Sequence, residues 1–339
     1  MMKAIVCEEV GRLVIHERLS EPKPKENYAV VQIRRIGICG TDYHAYRGKQ
    51  PFFTYPRILG HELAGEIIQI SDNDLGLHEG DQVSIIPYFH CDLCQACMQG
   101  KFNCCNEMEV FGVHVDGGMM ERVAVPIKYL IKTNDLSLDQ AVLLEPLAIG
   151  AHAIARSGLQ AGQTALVIGA GPIGLGIMAL IHSMGAQAIA MDVNEERLKF
   201  AESWGNAAYT VNALQDPIQK VAELTDNQFA SVVVDATGNA ESMMNAFNYT
   251  SHGGSLIYVG LFKGDITFHD PDFHRKELTL LGSRNATRQD FETVINAMSR
   301  GHIVAEQYIT HRCKFELLTE TFEEWLLPQS KVIKAVVEI

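Results

Sequence analysis

Five of the eight cysteines crowd between Cys91 and Cys105. Two residues separate Cys91 from Cys94 and Cys94 from Cys97, and Cys104 and Cys105 follow. In a chain with no secretory leader in view, thiols at this density read as metal ligands rather than as a disulfide scaffold. Four sulfurs complete a tetrahedral zinc shell with no position left for water, which is a structural site. Cys91, Cys94, Cys97 and Cys105 supply them, and spacing alone does not exclude the adjacent Cys104. A nucleic-acid-binding zinc ribbon is a poor reading, because Lys101 is the only base between Cys91 and Cys105. A second constellation is dispersed: Cys39 in Gly37-Ile-Cys-Gly-Thr-Asp-Tyr-His44, His61 and Glu62 in Gly60-His-Glu-Leu-Ala-Gly65, and Glu145 before Pro146. One thiolate, one imidazole and one or two carboxylates suit a catalytic zinc with an exchangeable position. Taken singly, a cysteine is more often a small core residue, and spacing does not join these four.

A third feature has the residues to cradle a phosphate. Gly169-Ala-Gly-Pro-Ile-Gly174 follows an apolar run and opens a helical one. Gly169 permits the tight turn, Gly171 lets backbone approach a pyrophosphate, and Gly174 lets the helix pack close to the strand. Pro172 and Ile173 start the helix, whose N-terminus attracts the phosphates. Asp192, ending the next apolar run, is placed to hold the adenosine ribose hydroxyls and to repel a 2′-phosphate. Val193–Glu196 offers no base before Arg197, the nearest cation at this site. The expected cofactor is therefore NAD.

These residues need two kinds of support. The first 145 residues read as short strands and loops: Ala29–Arg34, Glu66–Ile70 and Gln82–Ile86, separated by turns such as Asp72–Asp74 and Glu79–Asp81. That pattern suggests a barrel or sandwich. From about residue 146, apolar runs without alternation (Thr164–Ile168, Ala188–Met191, Ser231–Asp235, Ser255–Val259) alternate with helical stretches (Ile173–Met184, Glu195–Trp204). This is an α/β pattern with a doubly wound parallel sheet. After Ser283 come one helix, Asp290–Ser299, and a closing strand, Val332–Val337, whose packing periodicity does not reveal.

Composition agrees. The 339 residues suit two domains. With 28 Lys+Arg against 41 Asp+Glu, the net charge of −13 repels phosphate backbones, so nucleic acid is an unsuitable partner. The uncharged stretch Ser157–Met191 has the length of a membrane span, but its glycines and Pro172 make it a buried strand–turn–helix. A soluble cytoplasmic protein is expected, with no membrane partner.

Together these motifs and Asp116-Gly-Gly118 make the chain resemble, over essentially its whole length, the zinc-containing medium-chain alcohol/polyol dehydrogenases. The resemblance implies a GroES-like β-barrel catalytic domain, 1–145 plus 283–339, with a Rossmann NAD-binding domain, 146–282, inserted. It implies NAD and two zincs per chain. Cys39, His61 and Glu62 hold the catalytic ion, with Glu145 as a fourth or exchanging ligand where classical alcohol dehydrogenases have a second thiolate. The family spacing selects Cys105 over Cys104 for the lobe. The resemblance further assigns Thr41 and His44 to a proton relay, Glu62 to the catalytic centre, and Arg284 in Gly282-Ser-Arg-Asn-Ala-Thr287 to substrate contact. A homo-oligomer, dimer or tetramer, is the family expectation.

Within the polyol branch, Gln50-Pro-Phe-Phe-Thr-Tyr-Pro-Arg57, Gly260-Leu-Phe-Lys-Gly264 and Gly282–Thr287 are most similar to bacterial hexonate 5-dehydrogenases. The expected reaction is hydride transfer to NAD from C5 of a sugar acid: L-gulonate first, giving D-fructuronate, then L-galactonate or L-idonate. Zinc would act as a Lewis acid on the substrate hydroxyl. Arg284, Arg47 and Lys49 are the candidate bases for substrate oxygens, with Arg57 on the same segment. The alternatives are a polyol (sorbitol-type) or L-threonine dehydrogenase, and, in a different class, a non-catalytic dinucleotide sensor.

Overall fold

The computed structural model describes residues 1–23, 25–50 and 53–339; Pro51 and Phe52 of the Gln50–Arg57 segment lie outside them. The chain divides into two compact units, Met1–Glu145 with Ala305–Ile339, and Pro146–Val304.

The first unit is built around the strand Tyr28–Ile38, whose β-branched residues Val30, Val31, Ile33, Ile36 and Ile38 are buried. It pairs antiparallel with Glu62–Ile70, Arg122–Pro126 and Lys334–Glu338, within a sheet of seven strands. A three-stranded sheet, with Met2–Glu9 at its centre, contributes Ala4, Ile5 and Val6 to the same core. The returning segment adds Phe315, Leu318, Phe322 and Trp325 to that core, each such burial contributing about 1.5–3 kcal/mol. Charge ties the return down: Arg312 grips Asp139 with both terminal nitrogens (3.0 and 2.6 Å), and Arg35 Nε donates to the same carboxylate at 3.1 Å.

In the second unit six strands lie parallel, in the order Tyr209–Asn212, Gln187–Asp192, Thr164–Ile168, Ala230–Asp235, Thr250–Tyr258, Thr279–Gly282. The order reverses at Thr164–Ile168, where the glycine turn follows, and ligands bind such sheets at that switch point. The central strand is buried from Ala165 to Ile168, which explains its unbroken apolar run. The uncharged stretch Ser157–Met191 is thereby divided into strand, turn, helix and strand, and among the described residues no helix is long and apolar enough to cross a membrane.

One boundary differs from the sequence reading. The second unit does not end at residue 282 but runs to Val304, and the chain rejoins the first unit at Ala305. The helix Arg288–Ser299 buries Phe291 and Val294, and Asp290 Oδ2 lies 2.9 Å from His152 Nδ1 of the same unit. An amphipathic helix announces that it has a core-facing stripe but not which core it faces.

Candidate active site

Cys39 caps the helix Gly40–Tyr46, a helical turn within a region whose pattern is one of short strands and loops. His61 and Glu62 open the strand Glu62–Ile70 and its approach. The antiparallel register sets Gly37 opposite Glu62, so the end of one strand delivers Cys39 beside the start of the other. The Cys39 sulfur, a His61 nitrogen and a Glu62 oxygen come within 4.8 Å of one another. His61 and Glu62 are buried, and His61 Nδ1 and Glu62 Oε1 have no hydrogen-bond partner among the described residues. Buried polar atoms left without partners are costly unless something binds them, and a sulfur, nitrogen and oxygen set of this size fits zinc.

Asp42, Lys334, Tyr88 and Gly37 also shape this centre, and sequence reasoning missed the role of each. Asp42 is buried; its Oδ2 accepts from Cys39 N at 2.8 Å, and its Oδ1 lies 3.7 Å from His61 Nδ1. Burial pushes the His61 imidazole down, but Asp42 and Cys39 beside it carry it well above its ordinary value. Lys334, 2% exposed, pairs with Glu62 Oε2 and donates to Ile38 O at 3.1 Å. Tyr88 donates from its hydroxyl to Glu145 Oε1. Glu145 is buried and stands outside the close donor group; burial pushes its carboxyl up to about 7, reinforced by Glu62. Gly37 leaves room for Glu62. Lys334 had a signal in the sequence, as the one charge in the apolar run Val332–Val337, and Asp42 had one as a helix-capping acid three residues past Cys39.

The glycine turn is equally well defined. Gly169 adopts φ +96°, and its N–H donates to Met191 O at 2.7 Å. A Cβ on Gly174 would lie 1.8 Å from Gly169 O, so only glycine permits this approach, whereas a Cβ on Gly171 would meet open space. That open face at the start of the helix Pro172–Ser183 fits a pyrophosphate. Asp192 accepts from Ala170 N (2.7 Å) and Asn194 N (2.9 Å), tying the end of its strand to the turn. Arg197 is exposed in the first turn of the helix Glu195–Ser203.

Residues 25–135 match the alcohol dehydrogenase GroES-like domain, and residues 172–300 match the zinc-binding dehydrogenase domain. The chain is 41% identical to the L-galactonate-5-dehydrogenase of Escherichia coli K12, covering 99% of this chain and 98% of that one. The chain belongs to the zinc-type medium-chain alcohol dehydrogenase family. Two solved structures agree throughout: a short chain alcohol dehydrogenase (rspB) from E. coli CFT073 complexed with NADH (30% identical, TM-score 0.92, 100% of this chain and 99% of that one) and the L-idonate 5-dehydrogenase of E. coli K-12 (25%, 0.90, 100% and 98%). The protein is thus a zinc- and nicotinamide-dependent oxidoreductase with a GroES-like and a Rossmann unit.

In this dehydrogenase the lobe brings Cys91, Cys94, Cys97 and Cys105 together within 4.8 Å, with Cys94–Cys97 and Cys91–Cys105 sulfurs 3.5 Å apart, and leaves Cys104 exposed. Backbone N–H groups converge on the sulfurs, as Cys94 N on Cys91 Sγ at 3.3 Å, and backbone donors pull the Cys94 thiol down to about 6. A closed set of four sulfurs receiving N–H donors fits a structural zinc. Elsewhere in the dehydrogenase, His44 lies near the end of the helix Gly40–Tyr46, and Arg47 and Lys49 follow it, both exposed. His44 is itself exposed; partial desolvation lowers its pKa, and Lys49 and Arg47 lower it further. Arg47 Nη2 donates to Leu326 O at 3.3 Å, and Arg57 is engaged by Thr54 and Asp116. Arg284 is exposed just past the strand Thr279–Gly282 of the second unit.

Proposed function

We propose that this protein oxidises the C5 hydroxyl of a six-carbon aldonate with NAD, using a catalytic zinc on Cys39, His61 and Glu62 and a structural zinc on Cys91, Cys94, Cys97 and Cys105. The observation that carries the reading is the centre itself: one thiol, one imidazole and a carboxylate gathered within 4.8 Å, with the second carboxylate that the resemblance implies, Glu145, held beside them by Tyr88. When bound, the zinc supplies Lewis acidity that makes the substrate hydroxyl more acidic, and NAD accepts the hydride.

The chain's own residues handle protons and charge. Thr41, two residues past Cys39, receives the hydroxyl proton, and His44 passes it outward. Hydroxyl and imidazole each both donate and accept, and the lowered pKa of His44 keeps it neutral and receptive at neutral pH. Asp192 selects NAD over NADP through the ribose, with Gly169, Gly171, Pro172, Ile173 and Gly174 holding the pyrophosphate. Arg284 contacts substrate oxygens, and Arg47 or Lys49 holds the distal carboxylate. The likeness to an L-galactonate-5-dehydrogenase supports a sugar acid as substrate; our order is L-gulonate first, then L-galactonate or L-idonate. Eight cysteines, none of them in a disulfide, suit a reducing cytoplasm, and the functional form is a homo-oligomer.

The test is kcat/KM for L-gulonate, L-galactonate, L-idonate, sorbitol and L-threonine side by side. A charge-assisted contact to the carboxylate contributes about 1.5–3 kcal/mol, on the order of ten- to a hundredfold. The hexonates should therefore lead sorbitol by that factor. Arg284→Ala should lower kcat/KM far more than NADH affinity. If sorbitol or threonine exceeds every hexonate, the sugar-acid reading is wrong and a polyol or threonine dehydrogenase replaces it.

A further inference from the structure

The two carboxylates of the metal centre are held by different chemistry. Glu62 Oε2 faces the buried ammonium of Lys334, and Glu62 Oε1 has no hydrogen-bond partner among the described residues. Glu145 Oε1 instead accepts from the neutral hydroxyl of Tyr88, and Glu145 is absent from the group of donor atoms within 4.8 Å. Both members of this second pair are buried, Tyr88 at 5% exposure and Glu145 at 4%. Tyr88 is fixed from another direction: it lies in the short strand Tyr88–Phe89, opposite Val110 of Glu109–Val110, three residues before the first cysteine of the lobe. Its ring is therefore anchored independently of the residue it holds.

We propose that Tyr88 is a positioning residue that keeps one coordination position of the catalytic metal exchangeable, because its hydroxyl competes with the metal for Glu145. This rests on the metal site proposed above. Glu62 has Oε2 neutralised by Lys334, which leaves Oε1 without a competing donor. Glu145 has two alternative partners, the Tyr88 O–H and the cation. A buried carboxylate oxygen that loses its donor must find another. Removing the hydroxyl leaves the cation as that partner, so Glu145 becomes a resident ligand and the exchangeable position closes.

The holoenzyme with cobalt(II) in place of zinc tests this, with imidazole as the entering ligand. Its binding is read from the cobalt d–d bands, and metal release is timed against EDTA. Tyr88→Phe should weaken imidazole binding at least tenfold and slow metal release by a similar factor, and in a Glu145→Ala background the same substitution should change both less than twofold. Unchanged imidazole affinity and release in Tyr88→Phe, or an equal effect without Glu145, overturns the proposal. Should Tyr88→Phe fail to fold, Glu145→Gln serves: its amide oxygen still accepts from Tyr88 but ligates poorly. It should bind imidazole at least as tightly as the wild type, and a tenfold loss overturns the proposal. A wild type that holds cobalt only in the four-cysteine lobe overturns the metal site itself and the role of Tyr88 with it, whatever substrate the enzyme takes.

Discussion

Gly37 faces Glu62 across the antiparallel ladder, and a Cβ on Gly37 would stand 2.0 Å from Glu62 Oε2 and 2.9 Å from Glu62 Cβ. The backbone of Gly37 is not in the left-handed region, so the glycine is there for space. Any side chain would displace the carboxylate that Lys334 holds in place. Gly37→Ala should lower the zinc content from two per chain toward one and reduce kcat/KM by ~10–100-fold, as loss of support for a metal ligand does. Overpacking should also lower stability by about 1–3 kcal/mol. Metal analysis with urea unfolding checks both; full zinc content in the variant would show that Glu62 is not needed at the metal.

The two metal sites should separate by mutation. Cys39→Ser should abolish turnover while the protein stays folded and binds NADH. Cys94→Ser should lower thermal stability or assembly, because a closed set of four sulfurs contributes to folding and takes no part in the chemistry. Each variant should keep one zinc. A Cys94→Ser protein with unchanged metal content and Tm would exclude the lobe as a zinc site.

Asp192 has a structural task beside the one proposed for it at the cofactor ribose. Its carboxylate accepts from the buried Ala170 N and from the half-buried Asn194 N, so Asp192→Ala strands one buried donor at the glycine turn as well as removing a negative charge. Each unsatisfied donor costs about 1–3 kcal/mol. The variant should discriminate less against NADP and bind NADH at least about fivefold more weakly, an effect on cofactor affinity more than on kcat. Titration of both reduced cofactors measures it, and a wild type that prefers NADP would refute the assignment.

The proposed relay predicts a pH signature. Partial desolvation holds the His44 pKa below its ordinary value of about 6.5, with Lys49 and Arg47 adding to the effect. A proton acceptor works only when neutral, so activity is lost as pH falls through that lowered pKa. The acid limb of kcat/KM for alcohol oxidation should therefore lie below pH ~6.5. Removing the cations with Arg47→Gln and Lys49→Gln should raise the pKa and move the limb to higher pH. His44→Gln should lower kcat on the order of a hundredfold. An acid limb unmoved by either change would take His44 out of the relay.

Local chemistry was legible from residue order. The glycine turn, its strand and its helix are consecutive, so Gly169, Gly171, Gly174 and Asp192 announce their roles together. Cys91, Cys94 and Cys97 lie close enough along the chain for one short loop to gather them, and the alternation of strands and helices from residue 146 specifies a parallel sheet. Where contacts span the chain, order was silent. Cys39, His61 and Glu62 meet because of the register between Tyr28–Ile38 and Glu62–Ile70, and hydrophobic alternation suits many registers that differ by two residues. Lys334 reaches Glu62 from the far end of the chain through the closing strand, and Tyr88 reaches Glu145 from the edge of the lobe. The helix Arg288–Ser299 stayed with the second unit because its apolar stripe found that core. Periodicity records which side of an element is buried; only the folded packing decides what lies against it, and the carboxylate partners that distinguish Glu62 from Glu145 are set at that level.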